Sequence, residues 1–233
     1  MDSDDVLISV VIPVFNEELT VGNVIDRVTA VMQKLGLDFE IIVVDDCSVD
    51  RSLEFSVRQG VQVYSLREHM GKGLALRAGF AKAKGDIIST IDSDGSHRPE
   101  ELASLLNPIL RDKADFVIGS RYLSDKPAAA KKLNAVGVRL FNFLIKVLTR
   151  VEVSDSQSGY RVMQASILRN MRLESKGYEI ESEMLVKAVQ RGFRVREVPI
   201  SFEQRTYGVS RLDPVADGFK ILFSIMLAYM KDG

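Results

Sequence analysis

The chain has 233 residues, 46% of them hydrophobic, and carries 31 lysines and arginines against 32 aspartates and glutamates for a formal net charge of −1. That length and apolar content suffice for one large core, and the balanced charge excludes a global field that would attract nucleic acid. A single cysteine, Cys47, excludes an intrachain disulfide and fits a reducing compartment, and two isolated histidines, His69 and His97, are too few for a zinc cluster. The acidic N-terminus argues against a secretory signal, and no apolar run reaches the length of a membrane span.

Leu7 to Val14 is apolar and β-branched and reads as a central strand, followed by Phe15-Asn16-Glu17-Glu18. Val21, Val24, Ile25, Val28, Val31, Met32 and Leu35 then recur at helical spacing from about Thr20, and Gly36 ends that helix. A second buried strand, Phe39 to Val44, runs into Asp45-Asp46-Cys47-Ser48, with Ser48 or Asp50 placed to cap a short helix. Val61 to Leu66 is a third strand. His69-Met70-Gly71-Lys72-Gly73 then opens a helix over 74–84, a glycine-rich turn that favours anions but lacks the third glycine of a dinucleotide fingerprint.

The fourth strand, Asp86 to Ile91, ends on Asp92-Ser93-Asp94-Gly95. Pro99, Glu100 and Glu101 suit the start of the helix that runs to Leu110, and Asp115 to Gly119 is a fifth strand. Strand and helix alternate, so the spacing predicts an α/β fold with right-handed crossovers and a mostly parallel sheet. Acidic groups end the second and fourth strands on one sheet edge, where open α/β sheets bind ligands. Clustered carboxylates repel unless a cation compensates, and hard oxygen ligands suit Mg²⁺ or Mn²⁺ shared with a diphosphate.

Beyond residue 120 the character changes. Lys126, Lys131, Lys132, Arg139, Lys146 and Arg150 form a basic run without an intervening acid, the last three on a helix over 133–150. A basic amphipathic helix of this kind suits a membrane surface, but most of its apolar face is expected in the core, with one solvated basic stripe. Asp155 to Arg161 reads as a polar loop rich in ligand-type groups, and the acids Glu179, Glu181 and Glu183 suit the first turn of a helix ending at Arg191. Phe193 to Phe202 reads as one or two strands. Arg205 to Arg211 is a basic loop suited to phosphate, and a last helix over about 213–230 has an apolar face wide enough for core packing or for a bilayer interface.

These motifs, in this order across residues 7 to 212, resemble family-2 glycosyltransferases of the GT-A fold, the Rossmann-like nucleotide-diphospho-sugar transferase fold. The nearest branch is that of dolichyl- or polyprenyl-phosphate mannose or glucose synthases. The matching pieces are Val11 to Glu17, Val43 to Asp50, Gly71-Lys72-Gly73, Asp92 to Gly95, Gly119 to Tyr122, Asp155 to Arg161, Glu197 to Ile200 and Arg205 to Leu212. The resemblance implies one catalytic domain over 1–233, with a nucleotide-sugar half over 7–120, an acceptor half over 121–212 and an amphipathic helix over 213–230. It implies a donor pocket lined by Pro13, Phe15, Glu17, Asp45, Asp46, Lys72, Asp92 and Ser93. Asp92 and Asp94 would hold Mg²⁺ or Mn²⁺ on the donor diphosphate. Arg121, Lys132, Arg139, Arg205, Ser210 and Arg211 would contact the acceptor phosphate, and Asp155, with Asp94, would be catalytic. Ser96 stands where many members carry Gln, and Arg211 where Lys is usual.

The activity so implied is inverting transfer of a hexose, with GDP-mannose favoured, to a dolichyl or polyprenyl phosphate. The alternatives are a UDP-glucose-dependent polyprenyl-phosphate transferase and a family-2 enzyme acting on a polysaccharide hydroxyl. The expected setting is the cytoplasmic face of a membrane, held peripherally or through a membrane-anchoring partner protein, with no role for nucleic acid.

Overall fold

The computed structural model describes residues 6–123, 132–203 and 213–232. Seven strands form one sheet: β1 (Ile8–Val14), β2 (Phe39–Asp45), β3 (Val61–Ser65), β4 (Ile87–Thr90), β5 (Phe116–Ser120), β6 (Arg161–Gln164) and β7 (Val195–Pro199). Their spatial order is β3-β2-β1-β4-β6-β5-β7. All neighbouring pairs are parallel except those of β6, which runs antiparallel to both β4 and β5. The helices are α1 (Val21–Leu35), α2 (Ser52–Ser56), α3 (Lys72–Phe80), α4 (Leu102–Leu110), α5 (Lys132–Thr149), α6 (Ala165–Arg169), α7 (Ile180–Gln190) and α8 (Ala216–Asp232).

Alternate residues of each strand feed two apolar layers, as a pleated sheet requires. Val10, Ile12, Ile41, Val43, Ile87, Val117 and Val162 face one side, where α1 and α4 deliver Val24, Ile25, Val28, Leu105 and Leu106. Val11, Ile42, Val44, Ile88, Phe116 and Met163 face the other, against Leu76 of α3, Phe141 and Ile145 of α5, Met184 and Leu185 of α7, and Ile221 and Ile225 of α8. Helices therefore cover both faces, and the carboxyl ends of β1, β2 and β4 are left at one edge.

The local signals act as their chemistry dictates. Gly36 closes α1 with φ 65, and Pro99 opens a single 3₁₀ turn ahead of α4. Asp50 Oδ1 accepts the Ser52 N–H at the start of α2. Two elements depart from the sequence expectation. Arg161, read as the end of a polar loop, instead opens β6 in the middle of the sheet. Helix α3 stops at Phe80 instead of reaching residue 84, and Lys82 N–H tightens the turn that follows by donating to the Gly79 carbonyl three residues back.

Candidate active site

The carboxyl edge is built by loops that lock one another. After β1, Asn16 takes φ 53, and after β2, Cys47 takes φ 61, so both strands end in a left-handed residue. The two turns are tied together: Asn16 N–H donates to Ser48 Oγ at 2.9 Å, and Val49 N–H donates to Asn16 Oδ1 at 2.8 Å. Asp46 is buried and reaches the next loop, accepting Met70 N–H at 2.7 Å and Gly71 N–H at 2.8 Å, with His69 Nδ1 2.8 Å away. The His69 ring lies flat on Phe15, centroids 3.8 Å apart. Asp45 sits beneath, accepting Ser48 N–H and Ser65 Oγ–H through Oδ2, while its buried Oδ1 has no partner among the described residues.

Gly71, with φ 97, turns the chain into α3 and places Lys72 at its first residue. A side chain at Gly71 or Gly73 would strike the 175–177 backbone, so these glycines permit the contact that fixes the turn. Lys72 Nζ lies 2.7 Å from Asp92 Oδ1 and 2.7 Å from Glu181 Oε1. Burial alone would lower Lys72, but the two carboxylates outweigh it and hold the ammonium well above the lysine range. Burial would likewise raise Asp92, and the Lys72 charge overrides it and keeps Asp92 ionised. His97 Nε2 stands 3.6 Å from the other Asp92 oxygen, walled by Tyr160 and Phe202. On the next turn Asp94 Oδ1 accepts both the N–H and the hydroxyl of Ser96, at 2.9 and 2.6 Å. Ser93 Oγ–H donates to the Pro13 carbonyl at 2.9 Å, pinning this loop to β1.

The Asp92–Lys72 pair rests directly on Gly159. A Cβ there would lie 2.5 Å from Asp92 Oδ2 and 2.8 Å from Lys72 Nζ. Those atoms end flexible side chains, so Gly159→Ala should displace the pair and spare the backbone. We expect a melting temperature within about 4 °C of the parent, the equivalent of roughly 1 kcal/mol or less at this size, together with a fall in turnover above about tenfold, as for a disturbed ligand shell. Unchanged turnover would show that the site does not need Asp92 where it lies.

Across the edge, Arg121 follows β5 and clasps Asp155 in a two-point pair, Nε to Oδ2 at 2.6 Å and Nη2 to Oδ1 at 2.7 Å, and its own N–H adds a third bond. Asp155 is fully buried, and its charge outweighs the burial that would lower Arg121, holding that guanidinium above its ordinary range. The loop carrying Asp155 is anchored from two sides. Glu197 of β7 accepts Ser154 N–H, Ser154 Oγ–H and Asp155 N–H, and Asn142 of α5 brackets Ser154 and Ser156. Burial pushes the Glu197 carboxyl up, against those donors. Arg161, fully buried and brought down to about 10 by burial, donates to the carbonyls of Ser156, Ser158 and Glu181. Gln157 reaches Ser182 of α7 at 2.5 Å.

The glycosyl transferase family 2 model matches residues 9–172. The chain is a family 2 glycosyltransferase. An uncharacterised protein of Methanocaldococcus jannaschii is 34% identical to this transferase, over 94% of the present chain and 91% of its own. A UDP-N-acetylglucosamine–dolichyl-phosphate N-acetylglucosaminyltransferase of Methanococcus voltae is 32% identical over 97% of each. Among solved structures, glucosyl-3-phosphoglycerate synthase of Mycobacterium tuberculosis superposes with a TM-score of 0.78 at 25% identity, over 97% of this chain and 81% of that one. It was crystallised with Mn²⁺, UDP and glucosyl-3-phosphoglycerate. The expected GT-A architecture is therefore the architecture observed.

Within this transferase fold, Pro13 and Asp45 lie at the carboxyl ends of β1 and β2, Phe15, Glu17, Asp46, Asp92, Ser93 and Asp94 on the loops after β1, β2 and β4, and Lys72 at the start of α3. Arg121 and Asp155 meet opposite them, close enough that the Asp92 charge acts on Arg121. Arg139, exposed on α5, acts in turn on Tyr122 beside Arg121. The side chain of Lys132, and Arg205, Ser210 and Arg211, lie outside the described residues. Asp92 and Asp94 are a hard-oxygen pair with no third His, Cys, Asp or Glu completing a metal cluster among the described residues. Two such donors fit an ion that completes its shell with phosphate oxygens and water instead of an all-protein cage.

Sequence reasoning gave no role to His69, His97 or Gly159, and it read Glu181 as a first-turn acid. The usable signal for Glu181 was its place between Ile180 and Met184 on a helix apolar on both sides, where an exposed acid is out of pattern.

Proposed function

We propose that this transferase moves a hexose from a nucleoside diphosphate sugar to a dolichyl or polyprenyl phosphate at a membrane surface. The observation that carries this reading is the meeting, at one sheet edge, of the Asp92–Asp94 pair with Lys72 on one side and the Arg121–Asp155 clasp on the other. The M. voltae relative's name gives a nucleotide sugar as donor and dolichyl phosphate as acceptor.

An acceptor phosphate oxygen is already anionic near neutral pH and needs no strong base, so positioning and charge stabilisation dominate. In a single displacement that oxygen forms the new bond to the anomeric carbon as the nucleoside diphosphate leaves, inverting the centre. A divalent ion on Asp92 and Asp94 would neutralise the leaving diphosphate. Lys72 stands beside that position. Arg121 is charge-balanced by Asp155, so net attraction for the acceptor phosphate falls to Arg139 and to the segments that carry Lys132, Arg205, Ser210 and Arg211.

The outer faces of α5 and α8 support a lipid acceptor. Val136, Leu140, Phe143 and Val147 are exposed at one helical spacing, and Phe219, Phe223, Met226 and Met230 repeat it on α8, with Phe143 and Phe223 64% and 66% exposed. Helix α5 contains no acidic residue and adds exposed Arg139 and Lys146, a basic amphipathic surface that suits anionic lipid. The apolar residues expected mainly in the core thus divide between core and surface. No helix among the described residues is long and apolar enough to cross a membrane.

The test is nucleoside diphosphate release by the full chain with Mg²⁺ or Mn²⁺. GDP-mannose, favoured by the sequence resemblance, UDP-glucose and UDP-N-acetylglucosamine would be offered with and without a short polyprenyl phosphate in vesicles. Release that requires the lipid phosphate and the metal is expected, and the active donor identifies sugar and base together. Release that ignores lipid phosphate and follows a hydroxyl acceptor would replace this reading with a polysaccharide transferase.

A further inference from the structure

Lys72 is held between the part-exposed Asp92 and the buried Glu181, and only Asp92 belongs to the pair assigned to the metal. Its backbone is fixed: Asp46 binds the Met70 and Gly71 N–H groups, and Leu74 N–H donates to the Lys176 carbonyl at 3.2 Å. Any movement of the ammonium is therefore a movement of the side chain alone. Glu181 is 2% exposed, and neither of its carboxylate oxygens has an aligned hydrogen-bond donor among the described residues; its contact with Lys72 is an ion pair. One ammonium is shared by Asp92 and Glu181, two carboxylates to one lysine charge. A divalent ion on Asp92 would bring its ligand oxygens to about 2.0–2.1 Å for Mg²⁺. An ammonium 2.7 Å from the same carboxylate would then oppose a second, like charge at very short range.

We propose that Lys72 and the divalent ion compete for Asp92, and that Glu181 is the residue onto which the Lys72 ammonium withdraws when the ion binds. Glu181 is thus a positioning residue: it touches neither sugar nor phosphate and acts through Lys72. The inference rests on the assignment of Asp92 and Asp94 as the metal pair.

The test is Mn²⁺ binding to the full chain, followed by the electron paramagnetic resonance signal of free Mn²⁺, first without nucleotide and then with UDP or GDP. Without nucleotide, Lys72→Met should bind Mn²⁺ about tenfold tighter than the parent, within the range by which neighbouring groups tune metal sites. Glu181→Gln should bind several-fold weaker, because Lys72 is then left with Asp92 alone, and the Glu181→Gln effect should vanish in the Lys72→Met background. The two single variants change affinity in opposite directions, which general damage to the fold does not produce, and Glu181→Gln, which removes a buried charge, keeps the test open if Lys72→Met folds poorly. Unchanged or weaker binding in Lys72→Met, or unchanged binding in Glu181→Gln, would overturn the competition while Mn²⁺ binding with UDP or GDP leaves the metal pair standing. Absence of Mn²⁺ binding in every protein even with UDP or GDP would remove the metal pair itself, and the competition with it.

Discussion

Asp94→Ala should lower turnover by more than about a hundredfold, beyond the 10–100-fold typical of residues that only support a metal ligand, while the protein stays folded. Asp94 is half-exposed, and its Oδ1 organises a two-residue turn through the Ser96 N–H and hydroxyl around Gly95, which has φ 74. Losing those bonds costs about 1 kcal/mol each, a loss the fold can absorb. Losing the charge is different, because it removes one of the two hard-oxygen groups assigned to the ion and leaves Asp92 alone of that pair. Asp94→Asn separates the two effects: it keeps an acceptor for Ser96 and removes the charge, and it should be nearly as inactive as the alanine variant. Ser96→Ala deletes only the hydroxyl bond and should cost less than tenfold, since a single hydrogen bond is worth about 1 kcal/mol. Rates of diphosphate release at saturating Mn²⁺, with thermal melts alongside, check all three. Equal rates in Asp94→Ala and the parent would end the assignment of this carboxylate to the metal.

Asp155→Ala should be the most destabilising single change at the site. It leaves the mostly buried Arg121 without its counter-charge, and breaking a buried pair from one side costs roughly 3 kcal/mol or more. For a chain of this length that corresponds to a fall in melting temperature of roughly 6–12 °C. The cost comes from the stranded charge, so removing both partners should relieve most of it. In Asp155→Ala with Arg121→Met the melting temperature should return to within a few degrees of the parent, because apolar replacement of a whole buried pair is often neutral. Turnover should stay low in the double variant, which lacks both the clasp and its guanidinium. Recovery of turnover along with stability would mean that the Arg121–Asp155 pair serves the fold alone.

The first five strands and the helices around them were legible because their apolar residues follow simple periods. Val10 and Ile12 alternate with Val11 across the sheet, and Val21, Val24, Ile25 and Val28 line one face of α1. The carboxylates at the strand ends were legible for a related reason: charged groups directly after a buried run mark the edge where the sheet meets solvent. Strand β6 was not legible. It is four residues long and begins with Arg161, whose burial depends on three carbonyls from Ser156, Ser158 and Glu181 that no local pattern reveals. The partners of Lys72 were hidden for the same reason, since Asp92 comes from the loop after β4 and Glu181 from α7, far apart in the chain. The outward face of α5 was obscured because Leu140 and Phe141 are equally apolar, yet one is exposed and the other buried.

The position of β6 also bears on how this chain reaches its native state. Strand β4 pairs with β1 soon after synthesis, but its other edge is covered only when Thr90 meets Arg161 and Ile87 meets Gln164. Strand β5 waits for the same segment, and then for β7. A nascent chain ending before Arg161 therefore leaves three apolar strand edges without a partner, one of β4 and both of β5, the condition that favours misassociation between chains. Closure by such distant pairings is slow relative to local helix formation. The strand that leads into Asp92 and Asp94 is thus completed late, and a fragment ending near residue 120 should collect as aggregate instead of folding as an independent nucleotide-binding unit.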